Sequence, residues 1–240
     1  MKAVDRILGD ATKLKNALTD PQKAYYYAKN VVKGRFRPGE SIIATNPRWA
    51  FWYAVDYIQG RWPEGETAIS KDPRWAYMYA HSVIQGRPRP WPPIRWPKGE
   101  KAIARSAEWA YNYANQVVKG RWPEGEKAIA KNAQWAYYYA KYVIKGRWPE
   151  GEKAMAKDPK WAFVYAKNII NGRFPEGELA LSKDPGRACL YANWVIKGRW
   201  PEAEECIASD RGSEAHIGYL TMFPEAKDDW VLNGWIDWLD

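Results

Sequence analysis

The sequence is dominated by a tandem repeat of 26 residues, D-P-x-W-A-Y-x-Y-A-x-x-V-I-x-G-R-W-P-E-G-E-x-A-I-A-K. Successive copies are spaced 26, 26, 34, 26, 26 and 26 residues apart, so one insertion of eight residues interrupts the period. The residues at the first Trp position of the seven copies are Lys23, Trp49, Trp75, Trp109, Trp135, Trp161 and Arg187. A fixed period of this length indicates a solenoid, in which each repeat packs on its neighbours.

Helix signals predict two helices in each repeat. Asp72 before Pro73 is an N-cap followed by proline at the first helical position, and this pair recurs at Asp158 and Asp184. We expect a first helix of about 13 residues that ends at a glycine suited to the left-handed conformation. These glycines are Gly34, Gly60, Gly86, Gly120, Gly146, Gly172 and Gly198. A second helix of about nine residues should follow the Arg-Trp-Pro or Arg-Phe-Pro linker, with glutamates at its start and lysines at its end.

These signals predict an all-α fold, a right-handed α-solenoid of seven helical-hairpin repeats with capping helices at both ends. The whole chain, 1–240, is interpreted as one domain. Residues 1–20 form the predicted N-terminal cap, residues 21–212 the repeats, and residues 213–240 an acidic, Trp-rich C-terminal cap. The insertion at 88–95, P-R-P-W-P-P-I-R, is too rich in proline for a helix. It is either a recognition loop or a tolerated insertion.

Several residues recur too strictly to be chance. The Tyr four places after the Trp position is present in all seven copies, and so are the Arg of the linker and a Glu five residues after it. We interpret the Arg and Glu as a partly buried ladder that ties one repeat to the next. The alternative is a row of ligand-binding arginines.

The sequence offers little for catalysis. Its only histidines are His81 and His216, and it carries no zinc, phosphate-loop or nucleophile motif. We therefore expect a non-enzymatic protein without cofactor or metal. Cys189 and Cys206 are interpreted as buried free thiols. No apolar stretch is long enough for a membrane span and none resembles a signal peptide, so we expect no membrane contact and a cytoplasmic location.

The charge is unevenly distributed. The net charge is +9, but residues 213–240 carry −5, which leaves +14 on residues 1–212. On the first helices, the positions not fixed by packing hold many bases beside variable aromatic side chains. With a Trp of the insertion, the candidate binding residues are Lys29, Lys33, Arg48, Trp52, Arg74, Trp91, Lys119, Lys141, Lys145, Lys160, Lys167 and Lys197.

Two partners fit this basic, aromatic surface. The first is an acidic protein surface, which makes the chain an interaction scaffold. The second is single-stranded nucleic acid, with lysines on phosphates and rings stacked on bases. The acidic tail suggests a further possibility, namely self-association through docking on the basic array of another copy.

The motif W-A-Y-x-Y-A-x-x-V-I-x-G-R-W-P-E-G-E, here Trp135 to Glu152, resembles tandem repeats of uncharacterised bacteriophage proteins. The resemblance covers residues 17 to about 212 and implies a viral origin, with a host or virion protein as the partner. In architecture the repeat is similar to tetratricopeptide and Sel1-like hairpins, although it is shorter and lacks their signature spacing.

Overall fold

The computed structural model describes residues 11–86 and 94–237, and within these ranges the regular elements are all helices. The chain falls into two compact halves, Met1–Glu126 and Lys127–Asp240, and each is described by itself. Within each half, consecutive helices pack as hairpins against the hairpins before and after them. The predicted all-α fold of helical-hairpin repeats is confirmed.

The first helix of each repeat begins where the Asp-Pro signal predicts. The Asp158 carboxylate accepts a 3.2 Å hydrogen bond from the Trp161 N–H, and Asp72 and Asp184 accept equivalent bonds in their own repeats. The α-helical parts are Pro21–Tyr27, Pro47–Tyr53, Pro73–Tyr79, Ala107–Tyr113, Ala133–Tyr139, Pro159–Tyr165 and Pro185–Tyr191.

Each first helix then widens into five residues of π-helix, which the sequence analysis did not predict. The π-helical segments are Ala28–Val32, Ala54–Ile58, Ala80–Ile84, Ala114–Val118, Ala140–Ile144, Ala166–Ile170 and Ala192–Ile196. Because the bond closes five residues apart, as from Gln59 N to Ala54 O at 2.7 Å, side chains in this turn do not follow the 100° α-helical spacing.

The left-handed residue at the end of the first helix is the residue before the glycine. The prediction that the glycine itself takes this conformation is wrong in six repeats, and only Gly86 has a positive φ there, +64°. The residues with φ between 53° and 60° are Lys33, Gln59, Lys119, Lys145, Asn171 and Lys197. The physical reason is the π turn: the carbonyl of its first Ala can accept from both the left-handed residue and the glycine, as Ala192 does from Lys197 (2.7 Å) and Gly198 (3.3 Å).

The second helices are short and begin at the predicted prolines. In repeats 2 to 7 they are Pro63–Ile69, Pro97–Ile103, Pro123–Ile129, Pro149–Met155, Pro175–Leu181 and Pro201–Ser209, and repeat 1 has a 3₁₀ turn, Arg37–Gly39, before Glu40–Ile43. A glycine allows the two helices of a repeat to approach closely. A Cβ on Gly151 would lie 2.5 Å from the Trp148 ring and 3.0 Å from the Ala136 Cβ.

The two recurrent Trp positions have different packing roles. The Trp of the linker is buried against the invariant Tyr of its own repeat, as in the pair Tyr139 and Trp148, whose ring centroids are 4.8 Å apart. The Trp at the start of the first helix instead packs on an aromatic residue of the preceding repeat. Tyr137 and Trp161 show this contact at 5.5 Å. Flat rings therefore fill the space within and between repeats.

In most repeats the invariant Tyr is hydrogen-bonded to the repeat before it. The Tyr165 hydroxyl accepts a hydrogen bond from Trp148 N at 2.9 Å and donates one to Glu152 Oε1 at 2.7 Å. Arg147 holds the same carboxylate through two hydrogen bonds. The same arrangement occurs at Tyr53, Tyr79, Tyr113, Tyr191 and, in the C-terminal cap, Tyr219.

The predicted Arg–Glu ladder between repeats therefore needs correction. Each Arg pairs mainly with the Glu five residues later in its own repeat, because both side chains flank the same tight linker. Arg95 is an exception in part, since it also contacts Glu124 of the following repeat at 3.1 Å. The hydroxyl group, rather than the ion pair, is the regular link between repeats.

The C-terminal segment covers the last repeat with helices Glu214–Met222 and Ala226–Leu232. Trp230 is fully buried, and its indole nitrogen donates to Glu204 at 3.1 Å. Asp229 pairs with Arg199 at 2.7 Å. At the other end, residues 11–17 are helical and residues 18–19 form a turn, and residues 1–10 of the expected N-terminal cap lie outside the described residues.

Candidate interaction surfaces

The predicted binding residues lie in three rows along the first helices rather than in one cluster. The first row comprises Arg48, Arg74 and Lys160, which directly precede the Trp of their repeats. Each places its cation over the ring of that Trp, at 4.8, 5.1 and 4.9 Å from the centroid. These charges are exposed but fixed in position by the rings beneath them.

The second row, in the π-helical turn, comprises Lys29, Lys141 and Lys167. The Lys141 Nζ lies 5.7 Å from the Tyr137 ring centroid and 5.2 Å from that of Tyr142. The neighbouring Tyr137 raises the pKa of Lys141, so this amine is charged at neutral pH.

Lys167 makes a cation–π contact with a ring of the next repeat. Its Nζ lies 3.8 Å from the ring centroid of Trp194, which belongs to the next repeat and is 53% exposed. Tyr142 is 48% exposed. In the C-terminal half, two lysines and two exposed rings thus form one surface, Lys141, Tyr142, Lys167 and Trp194, which we call the aromatic ridge.

The third row comprises Lys33, Lys119, Lys145 and Lys197, all of them left-handed residues at the end of the π turn. The backbone of each of these lysines ends the π turn, and its side chain is exposed. Trp52 is 37% exposed and packs edge-on against Phe51 and Trp75. Trp91 lies outside the described residues.

A second surface, on the second helices, was missed by the sequence reasoning. In the C-terminal half, two adjacent grooves lie between successive second helices, with volumes of about 690 and 770 Å³. Lys153 and Lys157 line both grooves. The sequence signal was present, because a base recurs at the end of most second helices, but the lysines were attributed only to the helix dipole. The basic residues at that position are Lys71, Arg105, Lys131, Lys157 and Lys183.

The ionisable groups of the core serve structure. Hydrogen bonds from Arg173 lower the pKa of Glu178, and burial raises the pKa of Tyr53 to about 12. The same Tyr, Glu and Arg recur from repeat to repeat, which is the pattern of a packing element. Cys189 is buried and Cys206 half-buried, and both are free thiols as predicted.

Comparison with protein-family models, with curated proteins and with solved structures gave no match. Within residues 11–86 and 94–237, no group of three or more His, Cys, Asp and Glu side chains is placed to hold a metal ion. Among the helices of the same ranges, each is too short or too polar to traverse a lipid bilayer.

Proposed function

We propose that this protein is a non-enzymatic interaction scaffold that binds an acidic protein surface through the aromatic ridge. With the resemblance to bacteriophage repeats, the proposal includes a viral origin, a host or virion protein as partner, and action in the cytoplasm of the host cell. In the same half of the chain, Lys145, Lys160 and Lys197 on the first helices would add to this surface.

The observation that carries this proposal is the contact of Lys167 with Trp194. A large ring that stays half exposed, although its neighbours pack tightly, is typical of the residues that dominate protein interfaces. The lysine beside it places a positive charge 3.8 Å from the centroid of that ring, so an apolar contact and a charged contact lie side by side. Positive charges around exposed rings favour a partner whose carboxylates surround an apolar side chain.

The same geometry favours protein over single-stranded nucleic acid. Stacking of a base requires a free ring face, and each base stacked on an aromatic side chain contributes roughly 1–3 kcal/mol. The Lys167 Nζ covers one face of Trp194 at 3.8 Å, and Lys141 lies 5.2 Å from the Tyr142 centroid. Rings already engaged by lysines are poor platforms for bases, although the charge would still attract phosphates.

Two labelled probes, poly-L-glutamate and oligothymidylate, test the proposal in a salt titration followed by fluorescence anisotropy. We expect poly-L-glutamate to bind at low salt and more tightly than oligothymidylate. Lys141→Asn combined with Lys167→Asn should weaken this binding several-fold, because each substitution removes a ridge charge. Asn115 and Asn193 stand at the equivalent positions of other repeats, so the fold should tolerate both changes.

Lys101→Thr combined with Lys127→Thr is the charge-matched control, since both lysines are exposed on second helices and Thr67 occupies the equivalent position in another repeat. It should leave binding unchanged. Tighter binding of oligothymidylate, lost on Trp194→Asn, would replace the proposal with nucleic-acid binding. Equal effects of the ridge and control variants would remove the ridge as the site.

A further inference from the structure

The groove between the second helices Pro149–Met155 and Pro175–Leu181 combines an open volume, three lysines and an exposed leucine. Its volume is about 770 Å³, and Ala156 and Ala180 lie among the residues that line it. Small side chains at these positions leave the space between the helices open. Lys153, Lys157 and Lys183 line the same groove and are exposed.

Leu179, at one wall of this groove, is 71% exposed. The equivalent residues of the two preceding repeats are Lys127 and Lys153, so the fold does not require an apolar side chain here. An exposed leucine costs solubility and contributes almost no packing energy to the isolated chain. Together with Ala156 and Ala180 it gives the groove an apolar lining against which an aliphatic side chain of a partner can pack.

The charge of the groove is positive. Of its two glutamates, Glu152 is already bound by Arg147 and by the Tyr165 hydroxyl. Glu176 remains to offset the three lysines. A partner with carboxylates is therefore attracted, and a partner with an aliphatic side chain can cover Leu179 and the two alanines.

The acidic C-terminal segment of the chain is a poor occupant, because its buried Trp and two of its acidic side chains are engaged in its own cap. Trp230 is buried, Asp229 pairs with Arg199, and Asp237 lies 3.5 Å from Arg211. A separate polypeptide fits the groove better than the tail of a second copy.

We propose that this groove binds an acidic peptide segment, with one aliphatic side chain seated against Leu179, Ala156 and Ala180 and with flanking carboxylates on Lys153, Lys157 and Lys183. The site is on the second helices, whereas the aromatic ridge is on the first helices. The inference therefore does not depend on the ridge proposal, and either can fail without the other.

Selection from a display library of random peptides on the full-length protein tests this inference. The selected peptides should be enriched in Asp and Glu around a Leu, Ile or Val. Their affinity should fall about ten- to a hundredfold on Leu179→Thr, the factor expected from loss of one buried leucine contact. This variant leaves the charge of the groove unchanged and copies Thr67 at the equivalent position of another repeat, so unfolding is not expected to explain a loss.

Two further variants make the result decisive. Lys153→Gln removes one of the three lysines that hold the carboxylates and should weaken binding of the same peptides several-fold. Lys141→Asn with Lys167→Asn should leave peptide binding unchanged, which separates the groove from the ridge. Peptides without acidic enrichment, or equal binding to Leu179→Thr and the parent protein, would overturn the inference. A self-association that disappears on Leu179→Thr, measured by sedimentation without peptide, would also overturn it in favour of a second copy.

Discussion

The hydroxyl group of Tyr165 donates a 2.7 Å hydrogen bond to Oε1 of Glu152, a residue of the preceding repeat. It also accepts the N–H of Trp148 at 2.9 Å, so one oxygen atom is bound by two groups of that repeat. All of this lies in the buried interior. Neighbouring repeats are thus joined by a specific polar contact within an otherwise aromatic and aliphatic interface.

Tyr165→Phe should lower the free energy of unfolding by about 1–3 kcal/mol, because the Trp148 N–H is left buried without an acceptor. Tyr137→Phe is the matched control, since Phe51 and Phe163 already stand at its position in other repeats. The control should change stability by no more than about 1 kcal/mol. Urea unfolding followed by circular dichroism measures both. Equal losses in the two variants would show that the hydroxyl of Tyr165 has no special role.

The main features of the fold could be predicted because they depend on local signals. A 26-residue period, an Asp-Pro pair and a Pro after each linker are sufficient to place the helices. The role of the invariant Tyr was not visible, because its partners Glu152 and Trp148 lie 13 and 17 residues from it. The left-handed residue was placed one position late, because glycine is the usual choice and a π turn leaves no clear sequence pattern.

The candidate surfaces were predictable only in part. The sequence analysis placed the lysines on the first helices, but not the rings beneath them, since Lys167 and Trp194 are 27 positions apart and belong to different repeats. The groove could not be seen because it forms between helices of successive repeats. In the sequence, Leu179 stands beside Ala180 and Leu181 and looks like a core residue of its helix. Only the structure shows that its side chain is exposed.

Stability should fall in acid. Hydrogen bonds from Arg35 and Arg173 lower the pKa values of Glu40 and Glu178 below the ordinary value. A carboxyl group with a lowered folded-state pKa stabilises the protein above its unfolded-state pKa of about 4.3, and this contribution is lost as the pH falls through the folded-state value. We therefore expect the unfolding midpoint in urea to decrease below about pH 4.

Glu178→Gln should flatten this acid dependence, because an amide does not titrate, while Glu176→Gln, on an exposed side chain of the same helix, should leave it unchanged. The comparison requires urea titrations between neutral pH and about pH 3. The same pH dependence in all three proteins would contradict the assignment to the buried carboxylate.

Lys145 has φ 60° and ψ 39°, a left-handed conformation that costs an L-residue roughly 1–2 kcal/mol. Lys145→Gly removes this cost and adds unfolded-state entropy, so we expect a net gain of up to about 1 kcal/mol. Lys145→Val should destabilise, because a β-branched side chain is disfavoured at positive φ. Thermal unfolding of the two variants measures the difference. No gain with glycine and no loss with valine would contradict the left-handed turn.

Trp148 is fully buried, and its indole N–H has no hydrogen-bond acceptor among the residues that the structure describes. Phe36 and Phe174 occupy the same position in repeats 1 and 6, so a phenyl ring fits this site. A buried donor without an acceptor costs about 1–3 kcal/mol, and Trp148→Phe removes this cost. The same substitution loses ring contacts that stabilise the protein by a similar amount. The two effects should nearly cancel, and we expect a change within about 1.5 kcal/mol, whereas Trp148→Ala should cost about 3–5 kcal/mol. Urea unfolding of both variants measures the contrast. If phenylalanine proves as costly as alanine, the indole N–H contributes a favourable interaction and the proposed cancellation is wrong.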